Sequence, residues 1–197
     1  MARPKSKEKR EAILAAAAKV FAEGGLSAPT SAISHEAGVA EGTLFTYFLS
    51  KEDLVNALYR ELKLGLAHAM MSSFPRRKSV RARLQHVWNA YVQWGIENPG
   101  PCSVLAQIEV SEQLTPESKA AGQAPFVEIE TLAQDAMAQR ILKDIPRDLI
   151  AAAMQAMALA TMKCMQSHPK TAGKYREMGF EVLWAGIAGK GSSDSAR

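Results

Sequence analysis

The sequence predicts an all-α protein, and three observations carry that prediction. Apolar residues recur at helical rather than alternating spacing, first as Ile13, Ala17, Val20 and Phe21, then as Leu54, Leu58, Leu62, Leu66 and Met70. Glycine and proline punctuation cuts the chain into pieces of helical length, and no piece carries the alternation of a strand. The composition, 47% hydrophobic and 22% charged over 197 residues, is that of a globular protein able to bury a core without disulfides or a metal.

Taken in order, the first helix closes at Gly24-Gly25, because glycine accepts the left-handed conformation at a helix C-terminus. A second, two-turn helix opens at Pro29-Thr30, with the Thr30 hydroxyl expected to cap exposed amides, and stops at Gly38. The third runs from Glu41 to Phe48. Its i,i+4 pair Leu44 and Phe48 marks the inner face and leaves Glu41, Thr43 and Tyr47 outside. Ser50-Lys51-Glu52-Asp53 is a capping-box pattern that starts a fourth helix reaching about Ser72, roughly 33 Å long. A basic connector, Arg76-Arg77-Lys78, leads to a helix with Val80, Leu84, Val87, Trp88, Tyr91 and Trp94. Further helices fit Cys102 to Gln113, Pro125 to Lys143, Arg147 to Ser167 and Lys170 to Ala188. Thr115 to Ala124 is ambiguous, since a helix-start pattern is interrupted by Gly122 and Pro125.

Several function classes are excluded by the same reading. The two cysteines, Cys102 and Cys164, and four histidines match no zinc-ligand spacing, so no metal or other cofactor is expected and a reducing cytoplasm is the expected location. Lys19 and two nearby acids break the would-be signal peptide at the N-terminus, and Ile150 to Met162 is too short for a membrane span. Gly189-Lys190-Gly191-Ser192 lacks the spacing and preceding strand of a phosphate loop, so 189–197 reads as a disordered tail. No nucleophile triad, dinucleotide-binding glycine motif or paired carboxylates can be placed, so no enzyme is expected.

Two short helices joined by a glycine turn, with amphipathic helices before and after, are the parts of a helix-turn-helix. A recognition helix must enter a major groove about 12 Å wide, and the small residues Ala40, Gly42 and Thr43 at its start allow close approach. Glu41 suits either the helix dipole or the amino group of a cytosine. The net charge of +4 is modest, but residues 1–10 hold five bases and one acid. This arm, with Lys5 and Lys7, leads straight into the DNA-binding unit and is suited to phosphates.

Ile33-Ser34-His35-Glu36-Ala37-Gly38-Val39-Ala40-Glu41-Gly42-Thr43-Leu44-Phe45-Thr46-Tyr47-Phe48, followed by Ser50-Lys51-Glu52-Asp53-Leu54, resembles the DNA-binding domain of the TetR family of transcriptional regulators. The resemblance covers about a quarter of the chain. It implies an all-helical homodimer that binds a palindromic double-stranded DNA operator and releases it when a small molecule enters the larger domain. By position it implies that Thr30 and Tyr47 contact phosphates, that Thr43 lies at the groove surface, and that Lys51 meets the DNA backbone. Two residues depart from the family pattern. Ala40 stands where a capping serine is frequent, and Phe45 where a tyrosine is frequent, which makes Phe45 either a core residue, the favoured reading, or an apolar contact to a thymine methyl.

The expected domains are therefore 1–50, a helix-turn-helix unit with a basic arm, and 51–188, a helical effector-binding and dimerisation domain linked through the fourth helix. Met71, Trp88, Tyr91, Met137, Met154 and Met157 are candidates to line an apolar or aromatic effector's pocket, because methionine adapts to irregular ligands. The last two helices are apolar around much of their circumference, which requires burial on two sides. Leu149, Ala153, Tyr175, Gly179, Val182 and Gly186 are the candidates to meet a second copy about a two-fold axis.

Overall fold

The computed structural model describes residues 6–190. Lys5 and residues 191–197 of the expected tail lie outside the described residues. The helices are α1 (Lys7–Gly24), α2 (Thr30–Glu36), α3 (Glu41–Tyr47), α4 (Lys51–Met71), α5 (Val80–Glu97), α6 (Pro99–Glu109), α7 (Pro116–Gln123), α8 (Val127–Ala138), α9 (Arg147–Ser167) and α10 (Ala172–Ile187), with 3-10 turns at Ala124–Phe126 and Pro169–Thr171. Among the described residues there is no strand beyond a single antiparallel bridge between Leu142 and Ala188. The protein is all-α.

Two compact units emerge. One comprises the residues up to Gly65 together with Asn98–Pro125, the other Leu66–Glu97 together with the residues from Phe126 on, so the division falls inside α4.

In the first unit, α1 contributes Ile13, Leu14, Ala17 and Phe21 to a core completed by Ile33, Leu44, Phe48, Leu54, Val55 and Leu58 and by Val104, Leu105 and Ile108 of α6. Gly25 ends α1 at φ +72, its N–H donating to the Phe21 carbonyl. Asn56 is buried and fully used: its amide donates to the carbonyls of Glu52 and Gln113, and its Oδ1 accepts from the N–H of Thr115 at 2.9 Å. That network orders the segment the sequence left ambiguous. Thr115 caps it, accepting from the Ser118 N–H at 3.2 Å, and Gly122 allows α7 to lie against the ring of Tyr59. Helix α6 begins three residues earlier than the sequence suggested, since Pro99 and Pro101 sit in a first turn whose N–H groups have no helical acceptor anyway.

In the second unit, Val87, Trp88, Tyr91 and Val92 of α5 pack with Ala158, Met162 and Met165 of α9 and Phe180, Leu183 and Trp184 of α10. Helix α8 stops at Ala138 rather than Lys143, because Arg140 turns left-handed (φ +58) and the N–H groups of Ile141 and Leu142 fold back to the Ala136 carbonyl. Lys143 then clasps the end of α10, its ammonium donating to the carbonyls of Ala185 and Gly186 and its N–H to that of Ile187.

Candidate nucleic-acid interface

The turn between α2 and α3 is made by Gly38, whose φ of +64 strains any side chain, and is closed by N–H donation from Gly38 to His35 and from Val39 to Ser34. Leu44 and Phe48 are buried, which fixes the outward face of α3. Glu41, Gly42, Phe45 and Thr46 are exposed there, and Thr43 and Tyr47 are half-buried. Nothing stands within 4 Å of a Cβ placed on Gly42, so the backbone at the start of α3 is open to a close-approaching surface. Ala40 occupies the N-cap position and supplies no side-chain cap. Phe45, expected first as a core residue, is instead 39% exposed, because the inner face is already filled by Leu44 and Phe48.

Thr30 does not cap α2. Its hydroxyl donates instead to the Glu41 carboxylate at 2.9 Å, linking the first residue of α2 to the first residue of α3. The Tyr47 hydroxyl accepts from the N–H of Ser6 at 3.0 Å, so the C-terminal end of α3 holds the point from which the basic arm departs. Ser6 also caps α1. Lys7 is exposed beside Glu11. Ser50 caps α4 as the pattern predicts, accepting from the Asp53 N–H at 3.0 Å, and Lys51, half-buried, lays its ammonium 5.8 Å from the Phe21 ring centre.

Ser6, Lys19 and Glu36, to which the sequence reading gave no part in DNA binding, steady this surface, as does Arg10, a residue of the basic arm expected to track phosphates or enter the minor groove. Lys19 and Glu36 form a 2.8 Å pair between α1 and α2, and hydrogen bonding to Glu36 raises the Lys19 ammonium above its usual value. Arg10 lies over Phe48 and reaches Glu61 of α4. These partners are 17 to 51 residues apart in sequence, and only the acid–base composition hints at them.

The candidate effector residues all fall in the second unit. Trp88 is fully buried, donating its indole N–H to the Arg176 carbonyl at 2.9 Å, and Tyr91 is buried beside it. Met71, Met137, Met154 and Met157 are half-buried. Arg83, not singled out from sequence, carries a buried Nε–H with no acceptor among the described residues.

Of the candidate interface residues, Leu149, Ala153, Val182 and Gly186 are exposed, and Tyr175 is half-buried and stacked on His168. Gly179 is not on that outer face. It is buried within its own unit, where a Cβ would run into Thr161 of α9 and stand 2.7 Å from Trp88, so the close approach it permits is intrachain. Among the described residues no cluster of His, Cys, Asp and Glu could hold a metal ion, and no helix is long and apolar enough to cross a membrane.

A short exposed helix, preceded by a glycine turn and a second short helix and buttressed by α1 and α4, defines a helix-turn-helix DNA-binding unit. Residues 13–58 match the family described as bacterial regulatory proteins, tetR family. Over 54 residues the chain is 44% identical to the fatty acid metabolism regulator protein of Bacillus subtilis (strain 168), a match that covers 27% of this chain and spans only 27% of that protein's length. The crystal structure of a protein from Shewanella sp. PV-4, described as a putative tetR family transcription regulator, is similar over 91% of this chain and 98% of its own, at 27% identity and a TM-score of 0.82. The transcriptional regulator FadR from Bacillus subtilis, in complex with stearoyl-CoA, shares the fold at 19% identity and a TM-score of 0.69, over 90% of this chain and 98% of its own. The match to the tetR family is confined to residues 13–58, and the likeness to the solved regulator structures extends over most of the chain.

Proposed function

We propose that the protein is a ligand-responsive repressor that binds a palindromic operator as a homodimer in the cytoplasm and leaves it when a small, largely apolar or aromatic effector binds. The observation that carries this reading is α3 itself: its inner face is filled by Leu44 and Phe48, so Thr43, Phe45 and Tyr47 remain for a groove surface. In this reading Thr30 and Tyr47 contact phosphates, Lys51 meets the backbone from the start of α4, and the arm containing Lys5 and Lys7 adds charge attraction.

The domain division of the proposal is 1–50 for DNA and 51–188 for effector and partner. Met71, Trp88, Tyr91, Met137, Met154 and Met157 form the effector region. Long-chain acyl thioesters are the first class to test, because the relative at 44% identity is a fatty acid metabolism regulator and the similar FadR structure holds stearoyl-CoA. Leu149, Ala153, Val182 and Gly186 would pack against a second copy, holding two recognition helices at a fixed half-site spacing.

A constitutive regulator with no effector is the second reading. The complete burial of Trp88 and near-complete burial of Tyr91 favour it, since those side chains are already packed. Selecting bound fragments from the source genome and footprinting the best one, with and without an acyl thioester series, separates the two. A footprint erased by one member supports the repressor, one indifferent to every ligand supports the constitutive reading, and no footprint at all overturns both.

A further inference from the structure

The hydrogen bond from Thr30 to Glu41 joins the two helices of the helix-turn-helix at their first residues, and it does so with a group that the proposed docking needs elsewhere. A threonine hydroxyl has one proton to donate. While that proton lies on the Glu41 carboxylate it cannot be given to a phosphate oxygen, and a phosphate brought to Thr30 meets a negative charge within contact distance. Among the described residues Glu41 is in no ion pair, and it is exposed, so its side chain is free to turn outward. Turning outward takes it from the first position of α3 toward the surface that Gly42 leaves open.

We propose that Glu41 is a specificity-determining residue that works as a latch on Thr30. In the free protein and on a wrong sequence the carboxylate keeps the hydroxyl. Where the operator presents a cytosine amino group at the start of α3, the carboxylate accepts that N–H in the major groove and Thr30 is released to the phosphate. One base pair then controls two contacts: the base readout and the phosphate bond form together or not at all. A wrong base leaves both the carboxylate–phosphate repulsion and the unmade phosphate bond, so discrimination exceeds what either contact gives alone. The inference rests on the docking of α3 proposed above and adds a coupling that docking by itself does not require.

The test is a double-mutant cycle on two duplexes, the genome-selected site and its scrambled counterpart, read by fluorescence anisotropy at several salt concentrations. Thr30→Val should weaken binding to the selected duplex about fivefold and to the scrambled duplex less than twofold, because there the hydroxyl is already held by Glu41. In a Glu41→Ala background Thr30→Val should cost the same on both duplexes. Glu41→Ala alone should tighten scrambled binding several-fold, steepen its salt dependence by up to about 1, and lower the ratio between duplexes. Thr30→Ser keeps the hydroxyl and should keep the wild-type ratio, which controls for disturbed packing. An equal loss from Thr30→Val on both duplexes with Glu41 in place would overturn the latch while leaving the docking intact. A wild-type protein that does not distinguish the two duplexes would remove the docking, and the latch with it.

Discussion

Two faces of this molecule are exposed and made of opposite material. On α3 the outward residues are mostly polar or minimal, Glu41, Gly42, Thr43 and Thr46, with one aromatic ring at Phe45, and hydrogen bonds donated by the Thr30 hydroxyl and by the Ser6 N–H tie its two ends down. On α9 and α10 the outward residues include Leu149, Ala153, Ala156, Ala160, Met178 and Val182, and Leu149, Met178 and Val182 are each more than half exposed. Polar groups held in place suit a charged, hydrated surface whose contacts must be made in register. A stripe of methyl groups suits a partner that brings the same stripe. The contrast teaches that exposure alone does not assign a face, and that the chemistry left uncovered does.

The comparison breaks first if the apolar face is not an interface. Leu149→Glu combined with Val182→Glu should convert a dimer to a monomer in sedimentation and lower operator affinity at least about 100-fold, because single heads no longer act together. Unchanged sedimentation would return that face to solvent. Next in size is a contrast within α10. Gly179→Leu must displace Thr161 or Trp88 and should cost about 1 to 3 kcal/mol, or more, in thermal unfolding. Gly186→Leu meets open space in the chain and should leave monomer stability nearly unchanged while weakening self-association.

On the polar face, Lys51→Ala should weaken binding to every duplex several-fold and make the salt dependence shallower by about 1, since a phosphate contact positions without reading bases. An unchanged slope would detach the start of α4 from the DNA. The smallest effect lies in the alkaline range. Burial, helped by Glu109, pushes the Tyr59 hydroxyl up to about 12 from its usual 10. The unfolded chain therefore ionises first, so stability that is full below pH 10 should decline toward pH 12, and Tyr59→Phe should flatten that decline in denaturant titrations.

What the sequence made legible was local. Gly25, Gly38 and the Ser50 cap each act within four residues, and the buried pair Leu44 and Phe48 follows from i,i+4 spacing, so the helix-turn-helix could be drawn from composition and periodicity. The Thr115 start was visible too, but its outcome was not, because the helix depends on Asn56, 59 residues away. The same limit hid the Thr30 bond to Glu41 and the Tyr47 bond to Ser6, each set by how helices cross rather than by neighbours in the chain. Gly179 and Gly186 look alike in sequence, seven residues apart on one helix, and only packing shows that one faces inward. Phe45 was misjudged because an aromatic residue on a short helix suggests core, and seven residues of α3 have room for only one buried edge.

All three tryptophans, Trp88, Trp94 and Trp184, lie in the second unit, and Trp88 is sealed with its indole N–H bonded to a backbone carbonyl. Fluorescence excited at the red edge, where tryptophan absorbs and tyrosine does not, is therefore a one-sided witness. It reports the half of the chain with the methionines and is blind to the half with the recognition helix, whereas far-ultraviolet circular dichroism sums both. Recording the two signals through one denaturant titration gives a measure of cooperativity with no label attached: coincident curves mean the halves unfold as one, and separated curves give each half its own midpoint.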